Sequence, residues 1–99
     1  MLKVDNMRSV RGGKIANQFV IRDYDNNKVI FQSYASPIVE IDFANKILKV
    51  FEDWNYSKTT GKYRNQFMSM EFYGLNTTKE LEKAMCDGMW KSWKILKAF

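Results

Sequence analysis

Hydrophobic and polar positions along this chain follow two different periods. From Ala16 to Asp23, "ANQFVIRD", Phe19 and Ile21 fall on one side and Val20 and Arg22 on the other, the period-2 alternation of a strand. The turn-rich "DYDNNK" (23–28) follows, then "KVIFQSYA" (28–35), dense in strand formers; together these predict a β-hairpin. Pro37 supplies no N–H to a ladder and is expected to end that strand. A second hairpin is predicted from "IVEIDF" (38–43), the turn "ANK", and "ILKVF" (47–51). After "EDWNY" the period lengthens. Tyr63, Phe67 and Met70 stand at i, i+4 and i+7, one face of a helix with Ser57 as its N-cap. "GLN" (74–76) breaks that helix, and Thr77 with Glu80 forms the capping-box pattern of a second, whose stripe is Leu81, Ala84 and Met85. The tail reads two ways: Leu81, Met85, Met89, Trp93 and Leu96 continue a helical stripe through Gly88, while Trp93, Ile95 and Lys97 alternate against Lys94, Leu96 and Ala98. With Asp87-Gly88 as a stop signal, a final strand is the favoured reading. The expected architecture is one α+β domain over residues 1–99. It has an antiparallel sheet of four to five strands, built from two consecutive hairpins and the C-terminal strand, packed against two helices.

The composition fits this picture and narrows the chemistry. Of 99 residues, 45% are hydrophobic and 15% aromatic, enough to build a core rather than a disordered tail. The single cysteine, Cys86, has no partner in the chain and is read as a small core residue. With no signal-peptide pattern at the start and no apolar run long enough to span a bilayer, a reducing cytoplasmic setting and no membrane partner are expected. There is no histidine, so the commonest general base and zinc ligand are missing together. No catalytic residue, metal or cofactor is expected, and the chain is read as non-enzymatic.

Two motifs fail on inspection. "DYDNN" imitates the opening of a calcium loop, but Lys28 stands where the loop needs Gly and Tyr34 where it needs Glu. Gly13-Lys14 and Gly61-Lys62 imitate the end of a P-loop without its Ser or Thr and without its earlier Gly. These dipeptides open an internal echo: "GKIANQF" (13–19) and "GKYRNQF" (61–67) are identical at five of seven positions. The first runs from a Gly-Gly turn into a strand and the second lies in a helix, with unlike flanks. The echo is therefore read as local similarity rather than duplication.

The net charge of +5 is unevenly spread. Its positive segments include the two that carry the echo. "RSVRGGK" offers Arg8, Arg11 and Lys14 on a flexible Gly12-Gly13 backbone. "WNYSKTTGKYR" interleaves Trp54, Tyr56 and Tyr63 with Lys58, Lys62 and Arg64, rings for stacking and cations for phosphates. These nine residues are the candidate surface for nucleic acid or another phosphate-bearing ligand.

The segments "VDNMRSVRGGKIANQFVI" (4–21), "FQSY" (31–34) and "WNYSKTTGKYRNQF" (54–67) resemble, in that order, a family of small proteins of unknown function encoded mainly by bacteriophages and prophages. The shared pattern is RG-x-K-x-ANQF, then FQSY, then W-x-YS-x-TT-x-KYRNQF. The resemblance implies phage ancestry and an α+β domain and supplies no catalytic residue. Small phage proteins of this kind are accessory factors, which by analogy implies a nucleic-acid binder or an inhibitor of a host defence protein. The leading expectation is a non-catalytic binding protein for nucleic acid or a nucleotide-like phosphate ligand. The alternative is a protein–protein inhibitor of an anti-phage defence system, anti-CRISPR-like in mode, for which a homodimer would be a favourable sign.

Overall fold

The computed structural model describes all of residues 1–99. Seven strands form one mixed sheet: β1 (Leu2–Arg8), β2 (Lys14–Asp23), β3 (Lys28–Ser33), β4 (Ser36–Asp42), β5 (Ile47–Phe51), β6 (Met89–Trp90) and β7 (Trp93–Ala98). Their spatial order is β1-β2-β3-β4-β5-β7-β6. Helix α1 (Lys58–Phe67), a single π-helical turn (Met68–Phe72) and helix α2 (Thr78–Asp87) connect β5 to β6 and lie on one face.

The class is α+β, but the expected sheet of four to five antiparallel strands is corrected in number and direction. The first four pairings are antiparallel, whereas β7 runs parallel to β5, with Leu48 opposite Ile95. A parallel neighbour requires a long crossover, and the helical layer supplies it. Two strands are additional. β1 is an edge strand in which exposed Leu2 and Val4 alternate with Lys3 and Asp5. β6 is two residues long and pairs Trp90 with Trp93 across a tight turn at Lys91, whose φ is 53°. Pro37 does not end a strand: it lies within β4, opposite Gln32, beside a shift of register.

Register decides what each face carries. Toward the helices, one cross-sheet row is Val29, Ile41, Leu48 and Ile95, and another is Phe31, Val39 and Val50; all seven are buried. Phe67 of α1 meets Phe31 with ring centroids 5.7 Å apart, and Phe72 packs on Trp93 at 4.8 Å and on Trp90 at 5.1 Å. Full burial of such side chains contributes about 1.5–3 kcal/mol each.

The helix ends follow their sequence signals. Ser57 Oγ accepts from the Thr60 N–H at 3.1 Å, and Thr77 Oγ1 accepts from the Glu80 N–H at 3.2 Å. Leu81, Ala84 and Met85 form the buried side of α2. The expected face of α1 holds through Phe67 and fails at Met70, which is exposed. The π turn adds a residue to the helical repeat and brings Met68 and Phe72 inward instead. Cys86 is likewise exposed on α2 rather than in the core.

The β2–β3 and β4–β5 turns share one device. Asp23 accepts from both the backbone and side-chain amides of Asn26, and Asp42 accepts in the same way from Asn45. The next residue in each, Asn27 or Lys46, takes a left-handed conformation. These hydrogen bonds, led by the asparagine side chains, hold both carboxyl groups below the usual aspartate range. No helix is long and apolar enough to cross a membrane.

Candidate anion-binding pocket

The first turn of α1 opens a pocket of about 420 Å³ lined by Asn55, Ser57, Lys58, Gly61, Lys62, Asn65 and Thr78, with no apolar side chain among them. Both helices contribute from their N-terminal ends: Ser57 caps α1 and Thr78 is the first residue of α2. Helix N-termini carry unpaired N–H groups and a partial positive charge.

Arg64 lies against this pocket and is fully buried, with 0% of its surface exposed. A side chain on Gly61 would stand 3.7 Å from Arg64 Nη2 and 3.9 Å from Nη1, so the missing side chain leaves the guanidinium close to the cavity. Every Arg64 donor finds a neutral acceptor. Nε and Nη2 donate to Asn65 Oδ1 at 3.3 and 2.9 Å. Nη1 donates to the Trp54 carbonyl at 2.6 Å and to Asn55 Oδ1 at 3.4 Å, and Nη2 to Thr78 Oγ1 at 2.6 Å. The Trp54 ring lies 5.2 Å from Cζ, a cation–π distance. No carboxylate pairs with Arg64: the chain's ion pairs all lie elsewhere. Desolvation accordingly lowers its pKa from the ordinary arginine value.

The network also sets what the pocket presents. A guanidinium only donates, so Asn55 and Asn65 must turn their oxygens toward Arg64. Their Nδ2 groups make no hydrogen bond elsewhere in the chain. With Thr78 Oγ1 also accepting, its hydroxyl hydrogen is left to donate outward. Lys58 and Lys62 are exposed at the rim. The lining is therefore rich in donors and its strongest acceptors are occupied, which suits a ligand made mostly of acceptors.

The predicted site residues distribute as follows. Lys58, Lys62 and Arg64 gather at this pocket, two at the rim and one beneath it. Trp54 is half-buried as the platform under Arg64. Tyr63 is half-buried against the core, with Lys62 Nζ 5.3 Å from its ring centroid. Tyr56, 79% exposed, lines a neighbouring cleft of about 560 Å³ together with Tyr34, 62% exposed; Ser57 belongs to both cavities. On the floor of that cleft Thr60 Oγ1 lies 3.2 Å from both Ser33 Oγ and Ser57 Oγ. Arg8, Arg11 and Lys14 are exposed at the β1–β2 end of the sheet. Arg8 donates to the Gly12 carbonyl at 2.9 Å and lines a separate groove with Arg22, Met70 and Glu71. That end is tied to α1 where Gln66 Nε2 donates to the Arg8 carbonyl at 2.8 Å. The first basic segment is thus tied to the second half of α1 at Gln66, and only the second segment enters the pocket.

Sequence reasoning missed Asn55, Ser57, Gly61, Asn65 and Thr78 as parts of a site. A usable signal was present: an arginine with glycine three residues before it, asparagine beside it, and no acidic residue within the helix.

No curated protein and no solved structure matches the chain at a significant level. The sequence profile of a family of unknown function, DUF8033, matches residues 2–88, which takes in every element of the pocket, and the chain belongs to that family.

Proposed function

We propose that this protein is a non-catalytic binding protein that takes a phosphate group of a nucleotide or nucleic acid into the α1 pocket. The observation that carries this reading is the buried Arg64 guanidinium, saturated with hydrogen bonds yet lacking a counter-charge. A buried charge without an opposite charge is a standing penalty, which an anion in the adjoining cavity relieves. Lys58, Lys62 and the Nδ2 groups of Asn55 and Asn65 supply direct donors, and Arg64 acts from behind them. The cleft holding Tyr34 and Tyr56 offers ring faces to a base attached to that phosphate. The resemblance of residues 4–67 to phage-encoded proteins supports an accessory role in the cytoplasm of an infected host.

Titration calorimetry with inorganic phosphate, a mononucleotide and a single-stranded oligonucleotide, over a salt series, tests the reading. Affinity is expected to fall with salt at a slope of about −0.7 to −0.9 per neutralised phosphate. Replacing both exposed rim lysines (Lys58→Ser with Lys62→Ser) should lower it at least about tenfold with the fold intact. Tyr56→Ala should weaken the base-bearing ligands and leave inorganic phosphate unaffected. Absence of binding in every arm, or binding indifferent to salt and to the lysine pair, overturns the proposal.

A further inference from the structure

The strands are written as though both faces of the sheet were covered. Phe19-Val20-Ile21, Val29-Ile30-Phe31 and Ile95-Leu96 are apolar at consecutive positions, as are Ile47-Leu48 and Val50-Phe51. Successive side chains in a strand point to opposite faces, so such runs belong to sheets packed on both sides. Here the helices cover one face. The other carries Val4, Phe19, Ile21, Ile30, Phe51 and Leu96, all exposed or half-buried.

One cross-sheet row on that open face has a particular order. The register aligns Ile30 on β3, Glu40 on β4, Lys49 on β5 and Leu96 on β7. Read across, the row is apolar, negative, positive, apolar. Glu40 and Lys49 already pair at 3.7 Å. We propose that this face binds a second copy of the chain through a two-fold axis running between β4 and β5, parallel to the strands. That operation reverses the row, setting Glu40 against the partner's Lys49 and Ile30 against the partner's Leu96. Along this row four charges of alternating sign then meet at the centre, with an apolar contact at each end. In the next row the same operation sets Asp42 against the partner's Ile47 and Lys28 against the partner's Lys94, a like-charge contact that keeps the pairing weak. A lipid surface or a wholly apolar partner would instead desolvate the Glu40–Lys49 pair with nothing added to compensate it.

The area suffices for a weak dimer. Six strands about 4.8 Å apart and about five residues long cover roughly 500 Å² per copy, so about 1,000 Å² for the pair, at the lower limit of specific interfaces. The α1 pocket lies on the opposite side of the sheet, so pairing leaves two outward-facing pockets and does not depend on what they bind.

Sedimentation velocity of the full chain from about 1 to 300 µM tests this, since interfaces near the lower size limit associate in the micromolar range. A monomer–dimer equilibrium is expected. Ile30→Thr, which keeps a β-branched residue in the strand, should raise the dimer dissociation constant at least about tenfold, because both copies lose the contact. Glu40→Lys or Lys49→Glu alone should weaken the dimer, and the two together should restore it. Thermal melts at the lowest concentration separate loss of pairing from loss of folding. A chain that stays monomeric throughout, or a dimer indifferent to all of these substitutions, overturns the proposal.

Discussion

Lys14, Asn17, Gln18 and Phe19 in β2 and Lys62, Asn65, Gln66 and Phe67 in α1 are the same four residue types at the same spacing, put to different uses. On the strand, Asn17 takes a left-handed conformation, φ 63°, and its carbonyl accepts from the Tyr34 N–H. Gln18 is buried and Phe19 is half-buried on the open face. On the helix, Asn65 holds Arg64, Gln66 reaches the Arg8 carbonyl and Phe67 is fully inside. A period of two sends neighbours to opposite faces, while a period of 3.6 gathers positions three and four apart. The flanks choose between them: a Gly12-Gly13 turn starts the strand, and Ser57 caps the helix. Identity of letters is therefore poor grounds for identity of role unless the local period is shared.

The largest expected difference is between the two phenylalanines. Phe67→Ala should cost about 3–5 kcal/mol by leaving a cavity against Phe31, whereas Phe19→Ala should cost less than about 1.5 kcal/mol. Urea unfolding of both variants at low micromolar concentration, where a weak dimer is dissociated, measures the gap; equal losses would break the contrast. Next come the asparagines. Asn65→Ala removes the acceptor shared by Arg64 Nε and Nη2 and should cost about 2–3 kcal/mol. Asn17→Ala should cost only about 1 kcal/mol, the penalty of a left-handed alanine. The smallest effect changes sign. Gly61→Ala places its methyl at ordinary contact distance from Arg64 and should stabilise α1 by up to about 1 kcal/mol while weakening phosphate binding, because it narrows the pocket. Gly13→Ala should leave stability within about 0.5 kcal/mol and binding unchanged. A melt and a titration on each variant check the pair.

The legible parts of the fold were those with local signals. Both central hairpins announce themselves by alternation and by an Asp three residues before an Asn, and α2 by Thr77 and Glu80. β1 is harder to read because an edge strand with one open face mixes Leu2 and Val4 with charges and so resembles a basic arm. The parallel alignment of β7 is not a local property: its alternation marks a strand but says nothing of the neighbour or the direction. The π turn leaves no pattern until Met70 is found outside and Phe72 inside. Within the site, Lys58, Lys62 and Arg64 were identified by charge. Charge also predicts exposure, whereas the burial of Arg64 and the polar shell that permits it are properties of the folded chain, set by side chains from α1, α2 and the loop before α1.

The alignment of Ile47 with Lys94 bears on how the molecule is made. β1 to β5 join neighbour to neighbour and are able to zip together as they leave the ribosome, but the outer rim of β5 must wait while both helices and β6 are synthesised. Until β7 arrives, that rim is a bare template open to any passing strand. Nascent chains stalled in this interval are the ones most exposed to aggregation.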